Sequence, residues 1–276
     1  MHVGPLFLAV AVLWGVPYAL IKVGLDGGIE PLVIAWARVA IGAAVLVPIA
    51  LHRGALAGLR PHAGALLLIA VCDIAAPFTL LTLGEQHVSS SLAGILVATT
   101  PLFVGALAPA LDPGERPDRR AWLGLALGFV GVVALFGVDV AGDAGAAALV
   151  LLAAFGYGVA THLVRRLGDV SALGVSVVAL AIAAVLLAPG AALALPTGGD
   201  GGAWAAVLAL GVACTAAAFA LYYALIAAAG ATSAALTTYL APVFSVLVGA
   251  LALAEEIRPG AVAGLALILA GSWLAR

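Results

Sequence analysis

The chain has 276 residues, of which 65% are hydrophobic and 9% are charged, and its formal net charge is −2. A soluble domain carries roughly 25% charged residues, so this composition excludes a water-soluble fold, which needs a polar exterior. The near-neutral charge, without a basic tract, also argues against a nucleic-acid partner. Lipid is therefore the expected solvent around most of the chain.

Ten apolar segments are each long enough to cross a bilayer, which takes about 20 mostly apolar residues. In chain order, these spans 1 to 10 are 4–24, 31–51, 63–83, 89–110, 120–138, 144–164, 171–195, 203–228, 232–253 and 259–275. The predicted fold class is an all-α integral membrane protein with ten transmembrane helices.

Charges in the loops predict the orientation of these spans. When the loops are assigned alternately to two sides, the side of the N-terminus is basic and the other side is mainly acidic. The first set is Arg53, Arg60, Arg116, Arg119, Arg120, Arg165, Arg166 and Arg276; the second is Asp26, Glu30, Glu85, Asp139, Asp143, Asp200, Glu255 and Glu256, with Lys22 and Arg258. Basic loops stay cytoplasmic during insertion, which predicts a multi-pass protein of the cytoplasmic (inner) membrane with both termini cytoplasmic.

The chain also repeats itself with an offset of 141 residues. Pro101 and Pro242 have this spacing, and each is followed 14 residues later by a glutamate, Glu115 or Glu256. The repeat predicts two units, 1–140 and 141–276, of five spans each. Because five is odd, the second unit starts on the opposite side of the membrane, and such inverted repeats are typical of carriers that alternate between two open states.

Several motifs recur in a fixed order along both units. The first unit contains Trp14-Gly15, Arg38, the string SSSLAGILVATTPLFVGALAP and the segment Gly114-Glu115-Arg116; the second contains Tyr223-Ala224-Leu225, Thr232-Ser233, Pro242-Val243-Phe244 and Glu256. In this order they resemble the drug/metabolite transporter superfamily, of the EamA type. The resemblance covers essentially the whole chain. It implies a membrane transporter of small metabolites, often an exporter of amino acids, with a central cavity lined by spans 1, 3, 4, 6, 8 and 9.

Asp73 is predicted to lie at the middle of span 3. A carboxylate at the bilayer centre costs roughly 2.5–3.5 kcal/mol, so it must face protein or a wet cavity. The offset of 141 pairs it with Cys214, so the fold itself does not require an acid there. One interpretation is a proton carrier or a ligand for a substrate amine, and the alternative is a structural ion pair with Arg38 of span 2.

Aromatic and hydroxyl side chains near the middle of the spans are the predicted substrate contacts. Trp14 and Tyr18 share a face of span 1, and Tyr157 lies on span 6. The full predicted set is Trp14, Tyr18, Asp73, Thr99, Thr100, Tyr157, Thr215, Tyr223, Thr237 and Thr238. The alternative is that these aromatics serve in helix packing or as interfacial anchors.

Pro101 and Pro242 are predicted to bend spans 4 and 9 by removing a backbone hydrogen bond in mid-helix. The carbonyl groups freed in this way need partners inside a membrane, and the neighbouring threonines can supply them. The matched placement of the two prolines favours a hinge in each unit, with a static kink as the alternative.

The glycine stripes Gly124-x-x-x-Gly128 and Gly260-x-x-x-Gly264 permit close helix contacts. We expect each to pack within its own unit, and a homodimer interface is the alternative.

Two other functional classes were weighed. An intramembrane enzyme would need a nucleophile–base pair or a metal cluster, and a channel would need repeated filter elements. The sequence shows neither pattern. The predicted function is a carrier for a small organic metabolite, such as an amino acid, with efflux as its direction, no cofactor or metal, and protons as a further partner.

Overall fold

The computed structural model describes residues 3–111, 118–138, 143–168, 170–229, 234 and 236–274, without the side chains of residues 135–138 and 223. Glu115, which the repeat pairs with Glu256, lies outside these residues.

The first five predicted spans contain eight α-helices. They are α1 (Val3–Gly15) and α2 (Pro17–Asp26) in span 1, α3 (Pro31–His52) in span 2, α4 (Ala63–Ile69) and α5 (Ala76–Gly84) in span 3, α6 (Ser90–Val97) and α7 (Thr100–Leu111) in span 4, and α8 (Arg119–Val138) in span 5.

In the described part of the other five predicted spans there are six α-helices. They are α9 (Ala144–Arg165) in span 6, α10 (Ala172–Leu193) in span 7, α11 (Gly201–Gly211) and α12 (Ala218–Ala229) in span 8, α13 (Thr237–Ala252) in span 9 and α14 (Pro259–Leu274) in span 10.

These helices confirm the all-α membrane fold. Among the described residues, seven helical segments, some of them composed of two or more helices, are long and apolar enough to cross a membrane, and α13 and α14 are shorter apolar helices. Large apolar side chains point away from the protein, as shown by Val185 at 73% exposed, Leu193 at 88% and Leu251 at 85%. An outer surface of this kind is stable only when lipid covers it.

Polar residues at the ends of the apolar segments begin several helices. The side chains of Ser89, Asp143, Ser171 and Asp200 each accept a hydrogen bond from the amide three residues later. Such caps satisfy amide groups that have no partner within the first turn. The helix boundaries are therefore set by the loop residues as well as by hydrophobicity.

Spans 3 and 8 are each interrupted by one π-helical segment, Ala70–Ala75 and Val212–Ala217 respectively. The two segments have equal lengths and lie at corresponding places, with an offset of 142 residues rather than 141. The counterpart of Asp73 is therefore Thr215, and the alignment with Cys214 was wrong by one residue. The error arises because one additional residue precedes the second segment.

Glycines allow spans of one unit to approach proline-bearing spans of the other. A Cβ atom at Gly15 would lie 2.5 Å from Phe244 Cβ and 2.6 Å from the Ala241 carbonyl oxygen. A Cβ atom at Gly158 would lie 2.9 Å from Phe103 Cβ. Since Phe103 and Phe244 each follow a repeated proline by two residues, span 1 contacts span 9 in the same way that span 6 contacts span 4.

The glycine stripes of spans 5 and 10 face each other across the two units. A Cβ atom at Gly131 would lie 2.9 Å from the Gly264 carbonyl oxygen, and one at Gly271 would lie 2.6 Å from the Gly124 carbonyl oxygen. The contacts pair early residues of α8 with late residues of α14, so the two helices are antiparallel. The expectation that each stripe packs within its own unit holds for Gly128, where a Cβ atom would meet the side chain of Leu102 of the same unit, whereas the backbones of Gly124 and Gly264 contact the other unit.

We predict that Gly15→Ala destabilises the protein although alanine is the better helix former. The added methyl group meets the backbone of α13, and overpacking of this kind costs about 1–3 kcal/mol. Gly4→Ala is the matched control, since no atom lies within 4 Å of a Cβ atom there. Thermal unfolding in detergent should show a lower Tm for Gly15→Ala alone, and an equal Tm for both variants would contradict the close contact.

Candidate functional site

Arg38 is a buried cation that joins three spans. Its side chain is 7% exposed, and its Nε donates a hydrogen bond to Thr215 Oγ1 of span 8 at 3.1 Å. The guanidinium carbon lies 4.0 Å from the centre of the Phe78 ring of span 3. A cation in this position is stabilised by the hydroxyl dipole and by the aromatic face together.

The Thr215 hydroxyl connects Arg38 to the irregular backbone of span 8. Thr215 Oγ1 donates to the Leu210 carbonyl oxygen at 2.9 Å, five residues earlier in the chain. A π-helical turn disturbs the regular hydrogen-bond ladder, and a side-chain hydroxyl can satisfy the carbonyl that loses its usual partner. Thr215 therefore stabilises the π-helical segment and holds Arg38 at the same time.

Asp73 holds in span 3 the position that Thr215 holds in span 8, and its side chain is half-buried. Tyr157 of span 6 and Tyr222 of span 8 lie within electrostatic range of its carboxyl group. A carboxylate can only accept hydrogen bonds, whereas a protonated carboxyl also carries one donor. Asp73 can therefore serve as a donor in the manner of Thr215 only when it holds a proton.

The expected ion pair between Arg38 and Asp73 does not occur among the ion pairs of the described residues. Helix α3 packs against the π-helical segment of span 8, while α10 packs against that of span 3. Because α3 contacts span 8 here, Arg38 is directed toward Thr215. Asp73 lies on the π-helical segment of span 3, which contacts α10 instead.

The predicted aromatic residues surround these polar groups. The ring of Trp14 lies 4.6 Å from the ring of Tyr222, centre to centre, at an angle of 48°. Tyr18 is buried and packs beside Gly94 of span 4, and Tyr157 lies within electrostatic range of Arg38. Sequence reasoning selected Tyr223, whose side chain is outside the described part, and missed its neighbour Tyr222.

The hydroxyl groups of the predicted threonines bind main-chain carbonyls. Thr99 donates to Leu96 O at 2.6 Å, Thr100 to Val97 O at 2.8 Å and Thr237 to Ala234 O at 2.7 Å. Thr99, Thr215 and Thr237 are 0% exposed, whereas Thr238 is exposed. Their first role is to complete the backbone hydrogen bonding of spans 4, 8 and 9.

The two repeated prolines occupy different local structures. Pro101 lies in the first turn of α7, after a break at Ala98 and Thr99, so it does not interrupt a continuous helix as expected. Amides in the first turn of a helix have no intrahelical hydrogen bond to lose, so this turn accommodates proline well. Pro242 lies inside α13, as predicted.

One end of the bundle carries Glu85, Ser89 to Ser91, Asp143 and Glu255, and we call it the predicted external face. Glu255, after α13, accepts hydrogen bonds from the amides of Ser90 at 2.7 Å and Ser91 at 2.9 Å, and from the Ser91 hydroxyl. Ser245 Oγ of α13 donates to Ser90 O at 3.1 Å. These bonds close spans 4 and 9 against each other at this face.

Burial acts to raise the pKa of Glu255, but the hydrogen bonds from Ser91 and Ser90 outweigh it and lower the pKa below its ordinary value. Its carboxylate also lies at the N-terminus of α6, where a negative charge is favourable. Sequence reasoning counted Glu255 only as an external charge, because nothing in its own segment shows its partner 164 residues away.

Two pockets open at this same face. The larger, of about 330 Å³, is lined by residues of spans 4, 9 and 10 and of the adjoining loops, including Ser91, Asp143, Glu255 and Arg258. The smaller, of about 240 Å³, lies beside Lys22, Asp26 and Gln86. Neither is lined by Trp14 or Asp73. In the part of the chain that the structure describes, no group of three His, Cys, Asp or Glu side chains is placed to hold a metal ion.

We predict that Glu255→Gln lowers the thermal stability at neutral pH. A lowered pKa stabilises the folded state above the ordinary pKa of glutamate, and this contribution is lost as the pH falls through the lowered value. Because the side chain is half-exposed, we expect an effect of at most about 1.5 kcal/mol from its charge-assisted bonds.

The measurement is Tm as a function of pH, with the exposed neighbour variant Glu256→Gln as the control. The difference between wild type and Glu255→Gln should shrink on acidification. Equal effects of both substitutions at neutral pH would show that the bonds to span 4 contribute nothing.

Known proteins share the fold and parts of the sequence. A solved structure described as "Crystal structure of protein" matches 99% of this chain and 96% of its own length, with a TM-score of 0.68 and 23% identity. The "Uncharacterized inner membrane transporter YedA" of Escherichia coli strain K12 is 32% identical over 152 residues, which are 54% of this chain and 48% of that protein. The "Probable terminal-alkyne amino-acid exporter" of Streptantibioticus cattleyicolor is 34% identical over 128 residues, 45% of this chain and 41% of that protein.

The chain thus spans about half the length of the curated relatives that it matches. The model of the EamA-like transporter family, in contrast, matches residues 4–137 and again 144–276. Since these matches cover nearly the whole chain, the protein belongs to the EamA-like transporter family and is a multi-pass membrane protein.

Proposed function

We propose that this protein is a secondary carrier that exports a small organic metabolite, such as an amino acid or a related compound, by alternating access. The observation that supports this function best is the group of polar and aromatic side chains inside the bundle, contributed by both units. Arg38 with Thr215 and Trp14 with Tyr222 each join a span of the first unit to span 8 of the second. A site between two units is accessible from either side when the units rock.

The two units of the proposal are residues 1–140 and 141–276, inverted in the cytoplasmic membrane with both termini cytoplasmic. The antiparallel contact of α8 with α14 supports this relation, because these helices hold corresponding places in the two units. The corresponding π-helical segments of spans 3 and 8 support it as well.

The substrate would contact Trp14, Tyr18, Tyr157 and Tyr222 through their rings and polar tips. Asp73 would bind an amine of the substrate, or a proton in its place, and Arg38 is the cation that could face a carboxylate. Both signs of charge near aromatic rings suit a zwitterion such as an amino acid. Thr99, Thr100, Thr215 and Thr237 would mainly stabilise the main chain around the site and make few direct contacts with substrate. Their hydroxyls already donate hydrogen bonds to main-chain carbonyls.

The names of two relatives agree with this proposal. One is called an inner membrane transporter and the other a probable amino-acid exporter. The partial length of these matches leaves the substrate to experiment.

We predict that purified protein in liposomes gives a saturable flux of one or more amino acids, and that Asp73→Asn reduces it. Loss of a charge-assisted contact costs about 1.5–3 kcal/mol, which corresponds to roughly 10- to 150-fold in affinity. Asp26→Asn is the control, because Asp26 is exposed and lies outside the proposed site.

Flux that rises linearly with concentration would indicate a channel, and product formation without flux would indicate an enzyme; either result rejects the carrier. Equal transport by Asp73→Asn and wild type across the pH range would remove Asp73 from the mechanism.

A second prediction concerns the hinge proposed at Pro242. Pro242→Ala restores a backbone donor in α13, and a continuous helix should resist bending. We expect the maximal flux to fall several-fold while the substrate concentration at half-maximal flux stays constant. Pro189→Ala, inside α10 and outside the repeated motif, is the matched control. A similar loss in both variants would indicate general damage instead of a hinge.

A further inference from the structure

Glu85 is a buried carboxyl group at the predicted external face. It directly follows α5 and is 0% exposed. Among the described residues, neither of its carboxyl oxygens has a hydrogen-bond partner. A buried carboxylate without partners is costly, whereas the neutral acid is tolerated far better.

The neighbouring cations are directed to other groups. Lys22 Nζ donates to the main-chain oxygen of Glu85 at 3.2 Å and lies 3.7 Å from Asp26. Arg38 is directed to Thr215. The charged and titratable groups that act on Glu85 are thus Lys22 and Tyr18 of α2, Arg38 of α3 and Glu255 after α13.

The sum of these influences favours the protonated form. Burial raises the pKa of Glu85 well above its usual range, Arg38 and Lys22 oppose this only in part, and the negative charge of Glu255 adds to it. Next to Glu85, a Cβ atom at Gly84 would meet the side chains of Val150 and Leu149 and the carbonyl oxygen of Ala146 in α9, none of which donates a hydrogen bond.

Glu85 and Glu255 therefore form a pair of carboxyl groups with opposite environments. Glu255 is half-exposed and receives three hydrogen bonds from Ser90 and Ser91, so it is stable as an anion. Glu85 receives none and is stable as an acid. Environments that move the pKa values of two neighbouring carboxyl groups apart in this way are typical of sites that hold and release a proton.

We propose that Glu85 is a proton-binding site and that its proton keeps the predicted external face closed. When Glu85 releases the proton to water, a second negative charge arises near Glu255, on a carboxylate that receives no hydrogen bond from the described residues. Separation of spans 4 and 9, which Glu255 and Ser245 hold together at Ser90, would admit water that stabilises this charge. Proton release and opening are thus coupled, which extends the carrier function proposed above by giving it an external proton site.

The sign of the pH dependence follows from the neutral form in the closed state. A group whose pKa is raised in one state stabilises that state at lower pH, and this stabilisation is lost as the pH rises through the raised value. The closed arrangement should therefore dominate at low pH and give way to an open one as the pH increases.

Infrared spectroscopy tests the protonation directly. In wild type, the C=O stretching band of a protonated carboxyl group should persist at pH values where exposed glutamates are ionised. The band should be lost in Glu85→Gln, shifted in Glu85→Asp and unchanged in Glu30→Gln, whose carboxyl is exposed. Identical spectra for wild type and Glu85→Gln would overturn the proposal.

Spin labels test the coupling to closure. The labels are attached at Gln86→Cys and Ile257→Cys, two exposed positions on either side of the Glu255 contact, after Cys72→Ala and Cys214→Ala. We expect a short distance at low pH, a growing long-distance population as the pH rises, and a short distance at every pH in Glu85→Gln. A pH response in Glu85→Gln that equals that of wild type would refute the coupling. Neither measurement depends on transport. A missing flux would therefore reject the carrier function, while the infrared and spin-label measurements would still test the proton site at Glu85.

Discussion

The central constraint on this structure is that backbone polar groups inside a membrane must find partners within the protein. Regular helices satisfy it, but this bundle departs from regularity in spans 1, 3, 4 and 8. At two of these places a threonine hydroxyl donates a hydrogen bond to a main-chain carbonyl: Thr100 to that of Val97 and Thr215 to that of Leu210. The irregular segments are therefore specific structures held by particular side chains.

The same departures bring the polar groups together. Because Thr215 satisfies its own helix and also accepts from Arg38, a buried cation is placed in the interior without a carboxylate partner. Asp73 holds the corresponding place in the other unit and lacks a donor while it is ionised. One part of the chemical asymmetry of the interior is thus the replacement of a hydroxyl by an acid at equivalent positions of a repeated backbone, and another is Arg38, whose counterpart at the offset of 141 is Ala179.

Much of the fold could be predicted from the sequence, since apolar length and loop charges are local features. The ten helical regions, the role of Thr100 beside Pro101 and the use of the glycine stripes for close helix contact belong to this group. The partner of Arg38 could not be predicted, because a π-helical segment has no clear sequence pattern and shifts the register by one residue. Glu85 was counted as a loop charge, since its burial depends on spans that are distant in the chain. The sequence therefore identifies candidate residues of the site, whereas the contacts between them are seen only in the three-dimensional structure.

The antiparallel contact of α8 with α14 has a consequence for biogenesis. Gly124 and Gly131 of the fifth helix meet their neighbours only when the tenth helix has been synthesised. Until then, a nascent chain leaving the ribosome presents this part of the helix to lipid or to insertion factors. The bundle is therefore complete only after the tenth helix has inserted, and loss of that helix would leave an immature assembly open to quality control.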